Sequence, residues 1–100
     1  FPFTDKSTTK RRPALVLSKA KSFNQRIDHS VLAMITSANN SDWPLDTEIN
    51  DLDAAGLPAA SVVRMKLFTL DDRLIISKAG ELGVKDREAV TEALRQLLPF

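Results

Sequence analysis

The sequence predicts a mostly β domain with one α-helix, a small antiparallel barrel capped by a C-terminal amphipathic helix. Three observations predict it. Short apolar runs recur between polar, turn-rich stretches. A single segment at the end of the chain carries helical spacing. One hundred residues are enough for one hydrophobic core but not for two.

The elements follow in order. Thr4 to Lys10 is rich in hydroxyl and charged side chains, the composition of a loop. Ala14-Leu15-Val16-Leu17, just after a proline, reads as a buried strand, and Lys19 to His29 as a second long loop. Val31 to Thr36 is the next strand, and Ser37 to Pro44 turns the chain. Asp46-Thr47-Glu48-Ile49 has the length of a short edge strand, with Asp51 to Gly56 a turn or a single helical turn. Ser61 to Met65 and Lys66 to Leu70 are two β-like segments, and Arg73 to Leu82 reads as a strand through Leu74, Ile75 and Ile76. Asp86 is the expected N-cap of the final helix, whose apolar positions Ala89, Val90, Ala93, Leu94, Leu97 and Leu98 form one stripe before Pro99.

Composition narrows the function classes. With 43% hydrophobic and 27% charged residues the chain is ordinary globular material. No apolar stretch approaches the roughly 18 residues of a membrane span, and no export signal is visible. Zero cysteines exclude disulfides and thiolate metal sites, as suits a cytoplasmic protein. The net charge of +1 hides an asymmetry: residues 1–29 sum to +5, residues 30–60 to −5 and residues 61–100 to +1. A basic block of that kind suits a polyanion-facing surface, with the acidic middle turned away from it or toward a basic partner.

Three segments, in order, resemble the MazF/PemK-type toxins of type II toxin–antitoxin systems. The first is Phe1-Pro2-Phe3-Thr4-Asp5, a polar loop, then Lys10-Arg11-Arg12-Pro13-Ala14-Leu15-Val16-Leu17-Ser18. The second is Val31 to Ser37, a strand ending in Thr-Ser. The third is Ala55-Gly56-Leu57-Pro58, then Ser61-Val62-Val63-Arg64, then Leu67-Phe68-Thr69-Leu70-Asp71. The match runs from about residue 1 to 82, and the terminal helix fits the family's usual ending. The resemblance implies an SH3-like barrel over a single domain, residues 1–100. Family members open with a Gly-Asp-Val-aliphatic strand before the Phe-Pro-Phe region, so this sequence is expected to lack that first strand.

The resemblance also implies chemistry. RNA carries its own nucleophile, the ribose 2′-hydroxyl, so a ribonuclease needs to stabilise charge and help move protons. The family places an arginine before the proline of its Arg-Pro motif and a threonine at the end of the following strand, which are Arg12 and Thr36 here. A guanidinium stays charged at any working pH and its forked donors match two phosphoryl oxygens. Thr36 can donate or accept one hydrogen bond to orient the phosphate or the 2′-hydroxyl. Neither is a comfortable general base at neutral pH. Lys10, Arg11, Ser37 and Lys66 are candidate RNA contacts. Read without the resemblance, Lys10-Arg11-Arg12 is a solvated charge run, Thr36 a surface β-former, Ser37 a turn residue and Lys66 a surface lysine.

Other constellations are weaker. His29 is the single histidine, so a two-histidine acid–base mechanism is excluded. Asp42, Asp46, Glu48, Asp51 and Asp53 have no loop spacing with alternate ligands and a central glycine, so no metal and no cofactor is expected. Arg64 could pair with one of these carboxylates. Trp43 is suited either to stacking on a base or to packing at a barrel edge.

The expected function is a sequence-specific, metal-independent endoribonuclease acting on single-stranded RNA, mainly messages, and leaving 2′,3′-cyclic phosphate and 5′-hydroxyl ends. The loops Thr4–Lys10 and Lys19–His29 are candidates for reading sequence. The expected partners are the RNA substrate, a cognate antitoxin that forms a DNA-binding complex with the toxin, and a second copy in a homodimer. Two alternatives belong to other classes: a non-catalytic nucleic-acid-binding barrel, and a toxin of the related fold that poisons DNA gyrase.

Overall fold

The computed structural model describes residues 2–4, 11–40 and 42–99. Five strands form one antiparallel sheet: β1 (Pro2–Thr4), β2 (Arg11–Val16), β3 (His29–Ser37), β4 (Thr47–Glu48) and β5 (Ser61–Asp71), in the spatial order β1-β2-β3-β5-β4. Short helices α1 (Gln25–Ile27) and α2 (Leu52–Ala55) lie in the connections, and α3 (Val84–Leu97) is the long C-terminal helix. The antiparallel sheet with a C-terminal helix is the predicted class.

β3 occupies the middle of the sheet, which explains why its sequence is a continuous apolar run and not a clean alternation. Around its middle β3 is covered on both faces, with Leu32 and Ala33 both fully buried and Ile35 buried beyond them, while Thr36 near its end is only half-buried. Odd-numbered positions point to the helical side. There Leu15, Leu17, Ala33, Ile35, Val63 and Met65 pack with Ile49, Leu52, Ala55, Leu82, Val90, Ala93 and Leu94. Of the stripe expected on α3, Val90 and Ala93 are buried, while Ala89, Leu97 and Leu98 are exposed, so the helix docks through its middle.

The two β-like segments expected at Ser61–Met65 and Lys66–Leu70 are one strand with an irregularity between them. Ala33 pairs with Leu67 but the next residue, Met34, pairs with Arg64, so β5 carries Met65 and Lys66 as a bulge. Because the bulge adds two residues, side-chain parity is kept across it: Leu32 opposes Phe68 on one side of it, and Thr36 opposes Val62 on the other.

Four expectations are corrected. The strand over Arg73–Leu82 does not form; residues Asp72–Leu74 make a 3₁₀ turn and Ile75 a single bridge. Asp71 caps that turn by accepting from the Arg73 N–H at 2.9 Å, which deflects the chain out of the ladder. With that strand gone, the described sheet stays open, with β1 and β4 as its two edges, and does not close into a barrel. Lys19–His29 is not all loop, since Ala20–Asn24 forms a π-helical turn that runs into α1.

The fourth correction concerns Asp86. The N-cap of α3 is Gly83, and Asp86 sits in the first turn, 2% exposed. Its carboxylate reaches sideways and accepts the backbone N–H groups of Asn50 (3.0 and 3.1 Å) and Asp51 (2.9 Å). Asp51 in turn caps α2 by accepting from the Ala54 N–H at 3.1 Å. Gly56 closes α2 in the left-handed region at φ 70°. A Cβ on Gly80 would lie 2.4 Å from the Ala54 carbonyl oxygen, so the loop after β5 crosses α2 backbone to backbone, sealed by Glu81 N–H donating to Ala54 at 2.9 Å.

Candidate functional site

The face of the sheet away from α3 carries the residues that chemistry would use. On β2 and β3, Ala14 pairs with Met34; continuing that register by two residues sets Arg12 opposite Thr36. Thr36 pairs with Val62, and Val62 with Glu48. Thr36, Val62 and Glu48 form one row across β3, β5 and β4; Arg12 lies on β2 two residues past the last β2–β3 pair, where its backbone pairs with Phe3 of β1. Arg12 is exposed and Thr36 half-buried. Residues directly opposite on antiparallel strands lie about 4.5–5.5 Å apart between Cα atoms, so one phosphate group can bridge a guanidinium and a hydroxyl at such positions.

The next row is Ala14, Met34, Arg64 and, by continuing the β4 register one residue beyond Thr47, Asp46. Arg64 donates through Nε to Asp46 Oδ1 at 3.2 Å and through Nη2 to Asp46 Oδ2 at 2.9 Å. Both side chains are only 12–13% exposed. The Asp46 hydrogen bonds hold Arg64 firmly in its charged form, raising its pKa above the ordinary value against the cost of desolvation. Trp43 lies over this row. Its ring centroid is 5.4 Å from the Arg64 guanidinium carbon and 5.8 Å from Lys66 Nζ.

The remaining candidates separate. Ser37 pairs with Ser61 and alternates to the face opposite Thr36, where its Oγ accepts from the Asn39 N–H at 3.3 Å. Arg11 is placed by its backbone opposite Thr4 at the β1 edge. Lys10 lies outside the described residues, as does most of the Thr4–Lys10 loop. His29 is tied locally, with Nδ1 2.7 Å from the Ile27 carbonyl oxygen. The acidic segment is used structurally: Asp46 pairs with Arg64 and Asp51 caps α2. Asp46 is thus the carboxylate that Arg64 takes from the acidic segment, whereas the place of Trp43 beside Arg64 is not legible in the sequence because it depends on how the chain before β4 meets β5.

A cavity of about 480 Å³ lies on the other side of β2, between that strand, α3 and the loop around Gly80. Leu15, Leu17, Leu57, Val90 and Leu94 line it, and none of the sequence-predicted site residues does. The concave feature and the polar face are therefore separate.

The model of the PemK-like, MazF-like toxins of type II toxin–antitoxin systems matches residues 1–98. The chain belongs to that family. No curated protein matches. Among solved structures, a toxin described as "Mtb toxin" superposes with a TM-score of 0.74 at 19% identity, covering 98% of this chain and 100% of that one. The Mycobacterium tuberculosis toxin MazF-mt6 gives a TM-score of 0.74 at 20% identity, covering 95% of this chain and 91% of that one. The MazE–MazF structure from Deinococcus radiodurans gives 0.76 at 23% identity, covering 99% of this chain and 90% of that one. At these identities the likeness is one of fold. No described helix is long and apolar enough to cross a membrane.

Proposed function

We propose that this toxin is a sequence-specific, metal-independent endoribonuclease that cleaves single-stranded RNA, chiefly messages, by attack of the ribose 2′-hydroxyl. The observation that supports this reading is that Arg12 and Thr36 lie on neighbouring strands, each two residues beyond the paired Ala14 and Met34. Arg12 is the residue that would meet the charge building on the phosphoryl oxygens; a donor so placed contributes about 10²–10³ in rate. Thr36 would orient the phosphate or the attacking hydroxyl by one hydrogen bond. Lys10, Arg11 and Lys66 would add contacts to the RNA backbone. The products would carry 2′,3′-cyclic phosphate and 5′-hydroxyl ends.

Family membership and the MazE–MazF relative support a cognate antitoxin as partner, with a homodimer, a DNA-binding toxin–antitoxin complex and a cytoplasmic setting as parts of the same reading. The test is incubation of the protein with a long single-stranded RNA in excess EDTA, followed by mapping of fragment ends. Discrete cuts bearing cyclic phosphate support the reading. Intact RNA overturns it: retained RNA affinity would favour a binding module, and trapped DNA breaks in a gyrase assay would favour a gyrase poison.

A further inference from the structure

We propose that Trp43 is a stacking platform for a nucleobase of the RNA strand, and hence a substrate-binding residue beyond the Arg12–Thr36 pair. The inference rests on the ribonuclease reading and extends it to how the strand is held.

The turn that carries Trp43 is built around it. Asp42 has φ 118° and Leu45 φ 66°, two non-glycine residues in the positive-φ region, one on each side of Trp43-Pro44. A bulky residue such as leucine adopts that region only when the surroundings impose it. Here Leu45 is drawn into the core on the helical side. Its carbonyl accepts from Thr47 Oγ1 at 3.1 Å, and the Trp43 carbonyl accepts from the Asp46 N–H at 3.3 Å. The strain turns Leu45 inward and leaves Trp43 on the open face, 41% exposed. Observed strain of this kind concentrates at functional segments.

What lies against the ring matters as much. Arg64 is pinned by Asp46 and Lys66 stands on the bulge, so the indole rests against two cations. A cation on an aromatic ring holds it in place. Among the described residues Lys66 has no carboxylate partner, which leaves its ammonium available to a phosphate beside a stacked base. Thr36 and Arg64 stand one strand and two residues apart, about 8 Å by sheet spacing. The platform is thus within reach of the nucleotide adjoining the one at Arg12 and Thr36. Stacking on an aromatic side chain is available to any unpaired base and absent for a base inside a duplex.

Trp43 is the single tryptophan, so its emission reports the platform alone. The experiment titrates Arg12→Ala, which keeps Trp43 and is expected to cut about 10²–10³ more slowly, with a random-sequence single-stranded RNA pool. Tryptophan emission and the anisotropy of labelled RNA are read together. Trp43→Phe and Trp43→Leu in the parent background are assayed for KM and kcat, with melting curves as the fold control. The expected result is saturable quenching that tracks binding, a KM raised about tenfold by Trp43→Leu, and recovery in Trp43→Phe. RNA binding by anisotropy without quenching, or equal KM in Trp43→Leu and the parent, overturns the platform and leaves the ribonuclease reading intact. Absence of both cutting by the parent and binding overturns the two together.

Discussion

Arg64 on β5 and Asp46, just before β4, meet side-on, Nε and Nη2 of the guanidinium each donating to one carboxylate oxygen, with the Trp43 ring against the guanidinium. This contact ties the acidic middle of the chain to the basic face, and it sets where the indole stands. Asp46→Asn keeps the shape but removes the charge and one acceptor. The expected outcome is a lower melting temperature and a shift in Trp43 emission, because Arg64 is released from one side. An unchanged emission maximum would show that the ring is placed without the pair.

Asp86 anchors the first turn of α3 to the start of α2. Asp86→Ala leaves two backbone N–H groups, on Asn50 and Asp51, without their acceptor inside the fold. Each such group costs about 1–3 kcal/mol, so the variant is expected to lose about 2–6 kcal/mol in denaturant unfolding. Asp86→Asn, which keeps one acceptor oxygen, should lose less. Equal stability of all three proteins would contradict the anchoring role.

Gly80 crosses α2 where only hydrogen fits. A Cβ there would stand 2.4 Å from the Ala54 oxygen and 2.6 Å from the Ala55 carbon, both backbone atoms that cannot swing aside. Gly80→Ala is expected to destabilise by about 1–3 kcal/mol, measured by chemical unfolding. Wild-type stability would mean that the loop moves freely off α2.

Much of this was legible before the structure. The runs at 14–17 and 31–36, the short strand near 47–48, the helical turn after Asp51 and the amphipathic helix are all present. Even the division between Met65 and Lys66 corresponds to the bulge in β5. The strand expected at Arg73–Leu82 rests on the β-propensity of Leu74, Ile75 and Ile76, whereas Asp71 and its contact to the Arg73 N–H decide the local turn. Asp86 differs for a related reason: an aspartate before an amphipathic run looks like a cap, but its carboxylate serves N–H groups 35 and 36 residues earlier in the chain. Arg12 and Thr36 are singled out by the family resemblance alone. The grouping of Trp43 with Arg64 was not legible, since nothing local links residue 43 to residue 64.

Asp71 offers a pH test. Hydrogen bonds from the Arg73 side chain and backbone, with further help from the nearby charges of Arg73 and His29, hold its carboxyl well below the usual carboxylate range. A carboxylate with a depressed folded pKa contributes stability above its unfolded value, about 3.9, and loses it as the pH falls through the folded value. Asp71→Asn should therefore be less stable than the parent at neutral pH, with the gap narrowing on acidification below about pH 4. A gap independent of pH would assign the role of Asp71 to its backbone cap alone.

The central claim is that the RNA supplies its own nucleophile and Arg12 stabilises the charge that results. The most direct measurement is single-turnover cleavage, in excess EDTA, of an oligonucleotide carrying either ribose or 2′-deoxyribose at the mapped cut position, by the parent and by Arg12→Ala. The account predicts that the parent cuts the ribose substrate to a cyclic phosphate and leaves the deoxyribose substrate intact, and that Arg12→Ala is slower by about 10²–10³ on ribose. Cleavage of the deoxyribose substrate, or an undiminished rate in Arg12→Ala, would contradict it.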